Sequence, residues 1–235
     1  MHWMKAILLT CALAACDKPQ PVHARAPEVQ QPLCPPQAPG TSGESVDRMR
    51  QAIFQGLALT PGLFVGDIGT GGGWFTLRVA QAVGKTGKVY GTDIDKNTIA
   101  ALRGAPSAGD NAAPMRFTLV KGPRDTGIDD LPDKHLDLIL MIDSLCFDGR
   151  TPRADDLAYL RKFLRVLKPG ARFVHHMDCT CRTTVADTEA LFVAAGFSPK
   201  VGHLPITCEQ LSTEGCPSAE AQARAKFVGV FVKGP

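Results

Sequence analysis

A chain of 235 residues with 44% apolar content can build one sizeable core but not two domains. Its 26 basic and 23 acidic residues leave a net charge of +3, too small and too scattered to mark a nucleic-acid partner. No segment repeats along the chain.

The first residues stand apart from the rest. Lys5 precedes an apolar run, Ala6 to Ala15, that ends at Cys16. Ten residues are too few to span a bilayer as a helix but suit the core of a signal peptide. Leu13-Ala-Ala-Cys16 resembles a bacterial lipobox, which implies lipidation at Cys16. Asp17 resembles the signal that keeps such lipoproteins at the inner membrane. The expected division is a signal peptide over 1–16, a Pro/Gln/Ala-rich tether over 17–43 and a folded domain over 44–235. A cytoplasmic chain with a mis-assigned start is the alternative.

Within the domain, Glu44–Leu59 reads as a helix. Leu63–Ile68 is a short apolar strand that breaks into glycines. Trp74–Val83 is a helix stopped by Gly84, and Lys88–Asp93 is a second strand. Asn97–Arg103 is a short helix, Gly104–Pro114 a loop and Met115–Lys121 a third strand. Leu136–Ile142 is a fourth strand. Arg153–Leu167 carries Leu157, Leu160, Phe163, Leu164 and Leu167 at helical spacing. A fifth strand contains His175 and His176, Thr188–Phe197 is a helix, His203 belongs to a sixth strand and Phe227–Lys233 is the last. Alternating strands and helices predict a parallel sheet covered on both faces.

The chemistry concentrates in Asp67-Ile-Gly-Thr-Gly-Gly-Gly73. Glycines at a strand-to-helix turn let the backbone reverse sharply and let a ligand approach without a Cβ in the way. An acid roughly 20 residues on, Asp93, ends the next strand beside that turn, where a carboxylate can accept from both hydroxyls of a ribose. The spacing is D-x-G-x-G-x-G and not the G-x-G-x-x-G of a dinucleotide loop. An acid before the first glycine repels a phosphate and favours an ammonium group.

This pattern closely resembles the first motif of the class I S-adenosylmethionine-dependent methyltransferases. The resemblance runs from about Ser45 to the C-terminus, through Leu136–Asp143, Leu164–Val174 with its Lys-Pro-Gly turn, and Phe227–Lys233. It implies an α/β fold: a doubly wound, Rossmann-like, seven-stranded sheet with the last strand antiparallel. It implies S-adenosyl-L-methionine as cofactor, with Asp67, Gly69, Gly71 and Gly73 around its methionyl part and Asp93 on its ribose. The family often has an acid near the adenine after the third strand. Here the chain reads Lys121-Gly-Pro-Arg-Asp125, so that contact falls to Asp125 after a two-residue shift.

Methyl transfer needs alignment and exclusion of water, and a base only when the acceptor carries a proton to remove. Asp143, at the end of the fourth strand, and His176, near the end of the fifth, are the candidate catalytic groups, with Asp178 as another acid able to reach the cleft. His175 and His176 point to opposite faces. His135 is expected in a surface turn. Asp143-Ser-Leu-Cys-Phe147 resembles a variant in which an aromatic and two histidines follow the acid. Leu145, Cys146 and Phe147 stand in those places, which removes the obvious imidazole base.

Six cysteines follow Cys16: Cys34, Cys146, Cys179, Cys181, Cys208 and Cys216. Cys208–Cys216 is the easiest bridge by position. The resemblance makes the fourth and fifth strands neighbours, so Cys146 can also pair with Cys179 or Cys181 across the cleft rim. No metal site is expected, since Cys-x-Cys lacks a matching second pair. The leading reading is a methyltransferase on a small-molecule acceptor, with no nucleic-acid partner and a membrane contact through the lipid anchor. The alternatives are an exported, non-catalytic nucleoside-binding module on the same fold, and a thiol- or metalloid-directed methyltransferase. Nothing in the sequence bears on oligomeric state.

Overall fold

The computed structural model describes residues 42–105, 108–122, 124–147, 153–176, 181–199, 202–204 and 228–235. The expected signal segment, Cys16, most of the tether, Pro123, Asp178, Cys179 and the Cys208–Cys216 pair lie outside the described residues. In chain order the elements are α1 (Ser42–Gly56), β1 (Phe64–Ile68), α2 (Trp74–Val83), β2 (Lys88–Asp93), α3 (Lys96–Gly104), β3 (Met115–Leu119), β4 (Leu136–Ile142), α4 (Arg153–Val166), β5 (Leu167–His176), α5 (Val185–Ala195), β6 (Gly202–His203) and β7 (Val228–Val232).

The strands form one seven-stranded sheet in the order β3-β2-β1-β4-β5-β7-β6. β1 pairs in parallel with β2 on one side and β4 on the other. β7 runs antiparallel to both β5 and β6. This is the doubly wound sheet the sequence predicts. Its winding reverses between β1 and β4, so the loops leaving those strands diverge and open a crevice at their carboxyl ends.

Alternation along β4 divides the core. Leu138, Leu140 and Ile142 face α1 and α2 with Ile53, Val79 and Val174. Ile139 and Met141 face α4 and α5 with Phe163, Phe173 and Phe192. Leu136 sits with the second group although its parity matches the first. The β4–β5 register slips between Leu136 and Leu138: β4 advances two residues there while β5 advances five, from Leu167 to Arg172, and the regular alternation is broken at that point. The same slip absorbs the Lys-Pro-Gly turn into the start of β5, where Gly170 takes a φ of 74°.

Several boundaries differ from the sequence expectation. α5 begins at Val185 and not Thr188, because the Thr184 side chain accepts from the Asp187 amide and caps the helix. It ends where Gly196 adopts a left-handed conformation. α3 starts one residue early, since Asp95 accepts from the amides of Asn97 and Thr98. β3 stops at Leu119, because the Lys121 amide turns to donate to the Asp125 carboxylate. Among the described residues, no helix is long and apolar enough to cross a membrane.

Candidate functional site

The glycine loop leaves β1 at the reversal point. The amides of Gly69 and Thr70 donate to the Thr92 carbonyl at 2.8 and 2.9 Å, which ties the loop to the end of β2. Gly69, Gly71 and Gly73 all have positive φ, at 77°, 49° and 79°. Their reasons differ. A Cβ on Gly69 would overlap the Ser144 side chain, and one on Gly73 would meet Leu102. A Cβ on Gly71 would meet nothing within 4 Å, so here the bare backbone faces open space that a ligand can enter.

Asp93 ends β2 beside that opening. Its Oδ2 accepts from the Gly71 amide at 2.8 Å and its Oδ1 from the Asp95 amide at 2.9 Å. Both bonds fix the carboxylate at the cavity wall and leave each oxygen a further lone pair for a ligand hydroxyl. Asp67 lies elsewhere. It is 3% exposed, sits beneath the loop and accepts from the Thr76 hydroxyl of α2. Burial pushes its pKa up to about 6, against the Thr76 hydrogen bond and with the help of the Asp93 charge. Neither Asp67 nor Gly73 lines the cavity. Both support the loop that does.

The cavity itself has a volume of about 320 Å³. Gly69, Gly71, Asp93, Asp125 and Asp143 all line it. Asp125 is held by the amides of Lys121 and Gly127 at 2.8 and 3.1 Å, so the two-residue shift does bring a carboxylate to this wall. The sequence gives no reading of the apolar walls, Ile94, Val120 and Leu145, or of Tyr159 as lining residues. Ile94 had a detectable signal: an apolar residue following the ribose-type acid, and it is 60% exposed. Tyr159 had none, because it reaches the cavity from α4 as one of several residues at core spacing. No Lys, Arg or His lines the cavity among the described residues, and its charged groups are all carboxylates.

Asp143 occupies the far end. It has a φ of 52°, a left-handed backbone that non-glycine residues rarely adopt. Its Oδ1 lies 2.5 Å from His176 Nδ1. Burial works to raise the Asp143 pKa. The charge and hydrogen bond of His176, with Arg50 of α1 and His175, outweigh it, and the carboxyl lies below its ordinary value. His176 is almost fully buried and does not line the cavity; its hydrogen bond to Asp143 links it to a group that does.

His175 points to the opposite face, as adjacent strand residues must. It is fully buried between Phe147 and Phe192, and burial drives its pKa down to about 3. His135 directly follows the turn at 133–134 before β4, where it is expected. It is half-buried, packs on Phe64 and shares a 2.6 Å hydrogen bond with the Tyr90 hydroxyl. Leu145, Cys146 and Phe147 have separate structural uses. Leu145 walls the cavity, Phe147 enters the core, and Cys146 forms a disulfide with Cys181. Among the described residues, no group of three potential ligands could hold a metal.

Residues 65–170, from β1 to the Lys-Pro-Gly turn, match the family model described as a methyltransferase domain. A SAM-dependent methyltransferase from Aquifex aeolicus superposes with a TM-score of 0.50 at 19% identity, over 77% of this chain and 87% of that one. A chain from the complex of the Haloferax volcanii Trm112 methyltransferase activator with a methyltransferase gives 0.51 at 18% identity, over 83% and 95%. The [4+2]-cyclase SpnF gives 0.50 at 18%, over 80% and 81%. At these identities the likeness is one of fold. With the strand order and the antiparallel β7, it gives this chain the class I methyltransferase fold, with a methyltransferase-domain sequence match over β1 to β4 and the start of β5.

Proposed function

We propose that this protein is an S-adenosyl-L-methionine-dependent methyltransferase acting on a small-molecule acceptor. The carrying observation is one cavity wall: the open backbone at Gly71 beside an Asp93 carboxylate already locked to it. Asp93 would hold the ribose hydroxyls, Ile94 and Val120 would flank the adenine, and Asp125 would accept from its edge. The all-carboxylate lining suits a cofactor that carries a sulfonium and an ammonium group, and disfavours phosphates. When bound, the cofactor supplies an electrophilic methyl group.

The chain's own residues do the rest. The glycine loop and Asp93 orient the ligand at the reversal point. Leu145 and Tyr159 narrow the cavity and displace water. Asp143 presents an ionised oxygen that can accept an N–H or O–H from the acceptor, while His176 holds it in place. The metalloid-directed alternative is weakened, since Cys146 and Cys181 are consumed in the bridge. The cyclase SpnF has a similar fold, so binding and transfer need separate measurement. Calorimetry of the full chain with S-adenosylmethionine and S-adenosylhomocysteine tests the first. Methyl transfer from labelled cofactor to a panel of amines, phenols and thiols tests the second. No heat of binding to either ligand would reject the proposal, and binding without transfer to any acceptor would favour the non-catalytic module.

The proposal extends to location: export, lipidation at Cys16 and attachment at a membrane surface through the acyl chains. Lys5, the apolar run and Leu13-Ala-Ala-Cys16 support it, as does a disulfide at the cleft. Cys16→Ser should abolish lipid labelling and leave an unprocessed precursor. Full-length protein in the cytosol with free thiols would instead favour an ordinary cytoplasmic enzyme.

A further inference from the structure

We propose that the Cys146–Cys181 disulfide is a positioning element of the cleft, so that ligand binding there depends on the bridge being oxidised. The binding arm of this proposal rests on the cofactor reading above; the structural arm does not.

Four of the five consecutive residues after β4 are held by different long-range partners, and the fifth, Leu145, packs against the core. Asp143 is held by His176, and Ser144 packs under Gly69. Leu145 forms cavity wall, and Cys146 is bridged to Cys181 with a Cα–Cα distance of 5.4 Å. Phe147 packs edge-on to Phe192 and His175. The segment starts from a left-handed Asp143, a backbone state that persists only when its surroundings enforce it. The bridge ends the three cavity-lining residues Asp143, Ser144 and Leu145 directly.

The other end of the bridge is firmly seated. Cys181 is 1% exposed and lies three residues before Thr184, which caps α5. The disulfide therefore ties the acceptor-side wall to the N-terminus of α5. Cys146 is only half-buried, so a small reductant can reach it. Reduction by a dithiol transfers two electrons. The Cys146–Cys181 S–S bond breaks, each sulfur takes a proton from the dithiol, and the dithiol closes to its own disulfide. His176 and Phe147 would still hold the flanks, but the Ser144–Leu145 wall would lose its covalent stop.

Two measurements on the oxidised full chain, repeated after dithiothreitol, test this. Amide hydrogen exchange should speed up by about tenfold or more over residues 144–147, while Leu138–Ile142 within β4 keeps its protection. The dissociation constant for S-adenosylhomocysteine should rise about tenfold and recover on reoxidation with oxidised glutathione. The Cys146→Ala/Cys181→Ala double variant should show the weakened binding and no response to dithiothreitol. Unchanged exchange over 144–147, or equal affinity in both redox states, overturns the proposal. Loss of the whole sheet's protection on reduction, or a double variant that fails to fold, makes the bridge a folding staple and overturns it as well. If the oxidised chain does not bind S-adenosylhomocysteine, the cofactor reading fails and the exchange measurement still decides this one.

Discussion

The two halves of the cleft are built by different means. On the β1–β2–β3 side the parts are local. Glycines with positive φ, an acid held by two nearby amides and a second acid held by two others shape the wall. On the β4–β5 side the parts meet across long stretches of chain: Asp143 with His176, Cys146 with Cys181, Phe147 with Phe192. The first half can be recognised by motif and suits a shared cofactor. The second is assembled by packing, and under the proposed function it is the half that would face the acceptor.

The sharpest way to separate the halves is to damage one core and read the other. Phe192 is fully buried, stacks on Phe231 with ring centroids 3.8 Å apart and touches Phe147, Phe173 and His175. Phe192→Ala should cost about 3–5 kcal/mol of folding stability by urea titration. Affinity of the folded fraction for S-adenosylhomocysteine should stay within about threefold. A larger loss of affinity would show that the halves are coupled.

A pH experiment sets one buried group from each half against the other. Asp67 titrates at about 6 in the fold and near 3.8 unfolded, so the folded state binds its proton more tightly. Its contribution to stability falls as pH rises from about 4 to 6, at about 1.4 kcal/mol per pH unit. His175 titrates at about 3 in the fold and 6.5 unfolded, so over the same window the unfolded state takes up the extra proton. Its contribution rises with pH at a similar rate. The two slopes cancel in the wild type. Asp67→Asn should unmask a gain of about 2–3 kcal/mol from pH 4 to 6, and His175→Leu a loss of similar size. Parallel slopes in the two variants, by urea titration at each pH, would rule out one of the assignments.

Asp93→Ala acts on the motif-built half alone. It should weaken S-adenosylmethionine binding by about 1.5–3 kcal/mol, through loss of charge-assisted hydrogen bonds to ribose. An unchanged dissociation constant in a folded variant would exclude that role. The smallest effect is a control at the sheet edge. Asp130 accepts a two-pronged ion pair from Arg116 but is largely exposed. Asp130→Ala should change stability by under about 1 kcal/mol and leave binding unaltered.

Legibility in the sequence follows the same division. The glycine loop, Asp93 and the shifted Asp125 could all be read, because each is held by bonds within a few residues or by the neighbouring turn. Tyr159 could not, since its spacing along α4 is that of a core residue and only the packing of α4 turns it toward the cavity. The contact of His135 with Tyr90 is illegible in the sequence for a related reason. The two are 45 residues apart, and the contact exists only once β2 and the approach to β4 flank β1.

By itself the sequence determined the largely parallel α/β architecture, the glycine turn with Asp93 beside it and the opposed faces of His175 and His176. Each follows from local periodicity or from backbone conformations that only glycine adopts readily. Only the tertiary structure decided that Asp67 supports the loop from beneath, that Cys146 pairs with Cys181, and that a buried His176 holds Asp143 at the cleft. Those outcomes depend on which strands become neighbours and how deeply each group is buried. Both are set by burying both faces of the sheet together, and neither is written in the spacing of any one segment.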